Sequence, residues 1–248
     1  MKLYLSLIIA LLTGFSGVAQ LTEGRIVYQE KIDVHAKLPE RAKQFKDMIP
    51  RYKEFNKELL FNADLSKYQS PEVEEDEVVE KQQGGMHMRF KQMKDNSEVV
   101  HDIKEQTRVE LKEFMGRNFV VVDENEKPFN WKIGAGQKEI LGYVCQEAIH
   151  YGEKDTILAW FTPQIPVSTG PRGVGKLPGM ILGLELDNGL VTVMATKIEE
   201  QEVDAKTMSI KGKGKKVTKE EFKAIVEEKT KEMEEQHGGN GMVIRVAR

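Results

Sequence analysis

The sequence predicts a mainly β protein with accessory helices, built on a single curved antiparallel sheet. Two observations carry this: apolar residues recur with period two through most of the chain, and short turn signals join successive runs into hairpins. Composition agrees. The 248 residues are 40% hydrophobic, 31% charged and 7% aromatic, the mixture of an ordinary globular chain.

Residues 24–33 place Ile26, Tyr28 and Glu30 on one side and Val27, Gln29 and Lys31 on the other. Residues 58–65, 86–93, 97–103 and 107–115 alternate in the same way, and Glu110 falls on the wet side between Val109 and Leu111. Residues 118–123 are largely apolar and run into a polar turn. Residues 140–150 and 156–161 flank the turn Gly152-Glu153-Lys154-Asp155, and residues 180–186 and 190–198 flank Asp187-Asn188-Gly189, a short-hairpin signal.

Three segments depart from alternation. Residues 39–49 carry Phe45, Met48 and Ile49 at helical spacing, with Pro50 as the stop. Residues 70–85 read as an acidic loop. Thr218-Lys219-Glu220-Glu221 is a capping box that opens a helix over about 218–236. Phe222, Ile225, Val226 and Met233 give it an apolar stripe, and Gly238-Gly239 stop it. Residues 242–246 could add an edge strand. No linker or repeat divides residues 20–248, so they are expected to form one domain.

Residues 1–19 form a signal peptide: Lys2, an apolar run over 3–15, then the small residues Gly17 and Ala19 before the cut. The chain is therefore expected to be exported and soluble in the periplasm or at the outer membrane, starting near Gln20. One cysteine makes no internal disulfide, so Cys145 reads as a small buried hydrophobe.

Several function classes fall away. With 37 basic and 40 acidic side chains, no broad basic face exists for nucleic acid. Residues 170–176 match the spacing of a phosphate-binding loop, but Leu177-Pro178 follow where Ser or Thr and a helix are needed, so no nucleotide is expected. No GxSxG or HExxH pattern occurs and the five histidines are scattered, so no catalytic residues, metal or cofactor are expected. Met86-His87-Met88, with Met93 and Met115, offers soft ligands. On a strand, however, His87 points away from its neighbouring sulfurs, which read as core methionines. His237 reads as a cation at a helix C-terminus.

The stretch 131–199 is the most distinctive. It holds Trp131, Gly142-Tyr143-Val144-Cys145, Ala159-Trp160-Phe161-Thr162, Ile165-Pro166, Gly170-Pro171 and Leu177-Pro178-Gly179-Met180-Ile181-Leu182. In this order it resembles the GLPGLI family, exported proteins of Bacteroidota-type bacteria with no established activity. Lys176 stands where that family has its first glycine, and Met180 where it has leucine.

Physically the motif reads as a rigid bend, since proline cannot donate to a ladder and Gly179 admits φ > 0. Trp131, Tyr143, Trp160 and Phe161 are the expected aromatic anchors, and Pro178, Gly179 and Ile181 shape the bend; together they are the candidate ligand-binding residues. A curved, half-barrel-like sheet, as in lipoprotein and lipid carriers, implies a non-catalytic carrier for a hydrophobic or lipid ligand. The alternative is a non-enzymatic cell-envelope protein that binds an envelope partner.

Overall fold

The computed structural model describes residues 20–38, 40–71, 78–83, 86–91, 95–124, 129–152 and 156–236, with backbone alone for 37, 41, 78–83, 86–91, 234 and 236. Residues 1–19, the turn residues 153–155, Met93, His237, Gly238-Gly239 and residues 242–246 lie outside the described residues, as do the side chains of Met86, His87 and Met88.

The strands are β1 (Gly24–Asp33), β2 (Tyr52–Phe61), β3 (Leu65–Gln69), β4 (Val78–Gln83), β5 (Met86–Lys91), β6 (Glu98–Asp102) and β7 (Thr107–Phe114). They continue with β8 (Arg117–Asp123), β9 (Trp131–Ile140), β10 (Tyr143–Tyr151), β11 (Thr156–Thr162), β12 (Met180–Leu186), β13 (Val191–Glu199) and β14 (Lys215–Thr218). The helices are α1 (Glu40–Lys43) and α2 (Lys219–Gln236). Twelve strands form one open sheet in the order β14-β8-β7-β6-β3-β2-β1-β13-β12-β11-β10-β9, and β4 and β5 pair separately. The fold is mainly β, as its periodicity predicts. The sheet is mixed rather than purely antiparallel, because β14 runs parallel to β8. Residues 200–214 carry the chain from β13 to β14, and so deliver β14 in the same direction as β8.

The alternation in β1 decides which face is the core. Ile26, Tyr28 and Glu30 are buried while Val27, Gln29 and Lys31 are half-buried. On the same face lie Leu59, Phe61, Tyr68, Val99, Ala159, Phe161, Leu184 and Val193, all in one cluster. Residues 163–179 lie across this face and close it. Ile165, Leu177, Met180, Ile181 and Leu182 are at most 2% exposed, so the LPGMIL segment is spent on packing rather than on a ligand. Tyr28 donates to the Ile181 carbonyl at 2.7 Å, and Ser66 bonds Thr169 at 2.7 Å. The sheet curls strongly. The Gly175 carbonyl accepts from Trp131 on the edge strand β9 at 3.0 Å, while a Cβ on Gly175 would sit 3.6 Å from His101 on β6.

Burying Glu30, only 1% exposed, is tolerable because Arg172 meets it as a fork: Nε to Oε2 at 3.2 Å and an outer nitrogen to Oε1 at 3.1 Å. Tyr68 adds a hydrogen bond to the same carboxylate at 3.0 Å. Arg172 adopts φ +60, a left-handed conformation that costs about 1–3 kcal/mol and persists only where its surroundings impose it. Beside this group Lys57, 1% exposed, pairs with Asp95 at 2.7 Å.

A second, smaller cluster joins Phe114, Phe119, Val121 and Val217 to Phe222 of α2. The capping box forms reciprocally: the Glu221 N–H donates to Thr218 Oγ1 at 3.1 Å and the Thr218 N–H to Glu221 Oε2 at 2.8 Å.

Four local expectations need correction. Residues 141–142 are the hairpin turn between β9 and β10 rather than strand, with Leu141 at φ +53 and Gly142 at φ +83. Residues 131–140, unassigned by periodicity, form β9, and part of the acidic 70–85 stretch forms β4. The charged segment 39–49 is one short helical turn, α1, followed by a 3-10 turn. Glu110 is not on a wet face: it is held by Arg108 at 3.0 Å and Lys112 at 2.7 Å. Both faces of β7 are covered here, α2 lying on one side and residues 200–214 on the other.

Replacing Arg172 by Met should cost about 3–5 kcal/mol in denaturant unfolding, because Glu30 is left buried without its cation. Replacing Glu30 by Gln in the same molecule should recover most of that loss. Acid should also unfold the protein. Burial pushes the Asp95, Glu98 and Glu110 carboxyls up, but Lys57, Lys67 and the Arg108–Lys112 pair respectively more than reverse this and hold each below its ordinary value. Their stabilisation is thus complete above the unfolded pKa and lost as pH falls through the folded one. A urea midpoint measured against pH should stay level down to about pH 5 and fall below it, less steeply for Asp95→Asn.

Candidate functional site

On the face of the sheet turned away from the core, the strands and residues 200–214 build an open cleft of mixed polarity. Arg25 on β1, Glu58 and Leu60 on β2 and Gln69 on β3 form its floor, with Val203 and Asp204 as a wall, enclosing about 580 Å³. Strand alternation puts them there. Ile26, Leu59 and Tyr68 point into the core, so their neighbours Arg25, Glu58 and Gln69 point out.

Glu58 sits at the centre, 7% exposed. Its Oε2 takes the Arg25 Nε–H at 2.7 Å and its Oε1 takes the Gln69 amide at 2.8 Å. Arg25 also reaches Glu199 at 2.7 Å. The bond to Glu58 outweighs burial and raises the Arg25 pKa, so the guanidinium stays charged. Each Glu58 oxygen keeps acceptor capacity, and two hydrogen bonds leave further N–H donors on Arg25. Leu60, Pro71 and Val203 add apolar surface beside these groups. Such a cleft can hold a ligand that has an apolar face and hydroxyl or amide edges, without changing the charge balance inside.

A smaller cleft of about 360 Å³ borders the start of α2. Its polar groups are engaged in holding the helix: Asp123 pairs with Lys219 at 2.6 Å, and Thr218 and Glu221 form the capping box. Among the described residues no group of three or more His, Cys, Asp or Glu is arranged to hold a metal.

The seven residues singled out from the sequence are divided by the fold. Phe161, Gly179 and Ile181 are buried on the core side. Trp131 is tied to Gly175 and packs against Phe129 and His150 at 5.4 and 5.9 Å between ring centres. Tyr143 packs half-buried against the core, and Pro178 is exposed at the bend. Gly179 has φ +145, and a Cβ there would strike the Thr162 carbonyl. Trp160 alone faces outward, between Ala159 and Phe161, which face in. Sequence reasoning missed Arg25, Glu58 and Gln69. Their alternation with buried apolar residues was visible, but nothing in it marks which outward side chains a returning loop will enclose. Met115 lies in the turn after β7, 54% exposed.

Cys145 is fully buried, and burial pushes its thiol up to about 11 although Lys138 pulls it down. A thiol reagent at pH 8 should therefore modify the native protein at least about a hundredfold more slowly than the urea-unfolded chain.

The family model described as N-glycanase peptide, N-terminal domain matches residues 41–222. No curated protein sequence matches the chain. Two solved structures of PNGF-II, in the P21 and C2 space groups, share the fold. Their TM-scores are 0.52 and 0.53, with 16% and 15% identity over 82% of this chain. The chain spans about a third of the length of those proteins, 33% and 32%.

These findings overturn the GLPGLI resemblance; within the 131–199 stretch of this chain, residues 163–179 build the covering bend. They also overturn the lipid or hydrophobic carrier, the envelope-partner alternative and the expectation of no enzymatic connection. The matching family carries an enzyme's name. The physical reason agrees for the carrier, since the apolar bend is packed solid and the open cleft is lined by charged and amide groups.

Proposed function

We propose, from the premise that this chain belongs to the N-glycanase peptide, N-terminal domain family, that it works on asparagine-linked glycoproteins and holds part of the glycan in the Arg25–Glu58 cleft. The cleft carries this reading. A sugar presents apolar C–H faces and hydroxyl edges that both donate and accept, matching Leu60 and Val203 beside Arg25, Glu58 and Gln69. A lipid tail there would strip water from Glu58 and Arg25 without replacing its hydrogen bonds. The ligand is a neutral saccharide. Glu58 is already balanced by Arg25, and Glu202 and Asp204 against Lys211 leave the lining with net negative charge, which disfavours an added anion.

The proposal includes export. Residues 1–19 direct the chain outward, and residues 20–248 work as one domain where extracytoplasmic glycoproteins are met. The curl that brings β6 and β9 to Gly175 supports a half-barrel shape whose concave side is filled by side chains.

Calorimetry with a neutral high-mannose glycopeptide, and with the same peptide lacking its glycan, tests the reading. The glycosylated form alone should bind, and Glu58→Gln, which keeps the shape of the side chain, should weaken it about tenfold or more, or about 1.4 kcal/mol. Equal affinity for the bare peptide, or no heat with either, overturns it.

A further inference from the structure

Trp160 is held in an arrangement that its own packing does not explain. Its indole lies along the outer face, with glycines under both ends. A Cβ on Gly136 would sit 3.2 Å from Cη2, and one on Gly183 would sit 3.2 Å from Cδ1. Glycine inside a strand weakens it and often marks a place where something approaches the backbone closely. The indole N–H is buried and has no hydrogen-bond partner among the described residues. A buried indole N–H ordinarily finds a partner. Here the flat orientation of the ring is kept at that cost.

Polar groups surround the ring. Lys138 Nζ stands 4.2 Å from the ring centre. Glu147, opposite Trp160 across the β10–β11 ladder, accepts the Gly136 N–H at 3.2 Å. Burial lowers the Lys138 pKa against the pull of Glu185. Lys138 sits on the edge strand β9 with a flexible four-carbon stem, so its ammonium can leave the ring and donate to a ligand beside it.

Ladder partners run Trp160↔Gly183↔Met194↔Gln29 across the outer face, and Arg25 lies four residues along β1 from Gln29. Trp160 and the cleft therefore share one face, roughly 20 Å apart at ordinary strand spacings. Met194 and Gln29 lie between them.

We infer that Trp160, with Glu147 and Lys138, is a second saccharide subsite, which stacks a sugar ring of the same neutral glycan whose other end occupies the Arg25–Glu58 cleft. The inference rests on the glycan reading of that cleft and adds a requirement, namely that the ligand be an extended oligosaccharide. A pyranose lays its C–H face on the indole, while its hydroxyls take Glu147 as acceptor and Lys138 as donor.

The chain has two tryptophans, so Trp131→Phe leaves Trp160 as the single reporter. The high-mannose glycopeptide should change Trp160 emission in this variant, and free N-acetylglucosamine disaccharide, which fills only the cleft, should not. In the wild-type background, Trp160→Ala should raise the calorimetric Kd for the glycopeptide at least tenfold and leave that for the disaccharide unchanged. Gly183→Val, which lifts the ring from the sheet, should act in the same direction. Glycopeptide binding with unaltered Trp160 emission would overturn the subsite and leave the cleft standing. No binding heat for either sugar would overturn both.

Discussion

The buried fork between Arg172 and Glu30 is the constraint on which the rest of the structure depends. Glu30 lies on the core face of the central strand β1, where an unpaired carboxylate would be prohibitive, and Arg172 comes from the segment that covers that face. The pair therefore welds the cover to the sheet. Replacing both residues by well-packed apolar ones could leave stability similar, so the pair's value is positional. It admits one placement of residues 163–179. Tyr68 and the neighbouring Lys57–Asp95 pair satisfy the remaining polar demand.

With the cover fixed, the sheet has something to curl around. Trp131 on β9 and His101 on β6 both meet Gly175, and a larger residue there would press on the Ser168 carbonyl. With residues 163–179 packed on the core face, the cleft we assign to a ligand lies on the opposite face. There the chain's return to β14 encloses Arg25, Glu58 and Gln69, while two glycines leave room for Trp160. The function we propose thus lives on the face that the core does not use.

Much of this was legible in the residues. Alternation in β1 named its buried side correctly, Glu30 included, and the Asp187-Asn188-Gly189 turn forms with all three residues at positive φ. The Thr218–Glu221 box formed as read. Such features rest on contacts between near neighbours, which the sequence states directly. β9 was not legible, because glycine and lysine interrupt its pattern and its partner β10 supplies the pairing. Glu110 was misread for a related reason. Alternation tells which residues share a face, and says nothing about whether a distant helix or loop covers the other. The motif residues were read as a bend and do form one. Their family was misassigned, and the lipid function inferred from apolar character failed because apolar residues fill cores far more often than they line sites.

By itself, the sequence determined a mainly β chain, most of its hairpins, the C-terminal helix with its cap, and the bend at Leu177-Pro178-Gly179. These follow from backbone sterics, period-two burial and hydrogen bonds within a few residues. Tertiary structure alone decided that Glu30 would meet Arg172, that β14 would run parallel to β8, and that Arg25, Glu58 and Trp160 would share an open face. Those outcomes depend on contacts between residues far apart in the chain. Such contacts form only when the sheet closes over its cover, and no local pattern encodes the partner a side chain will then find.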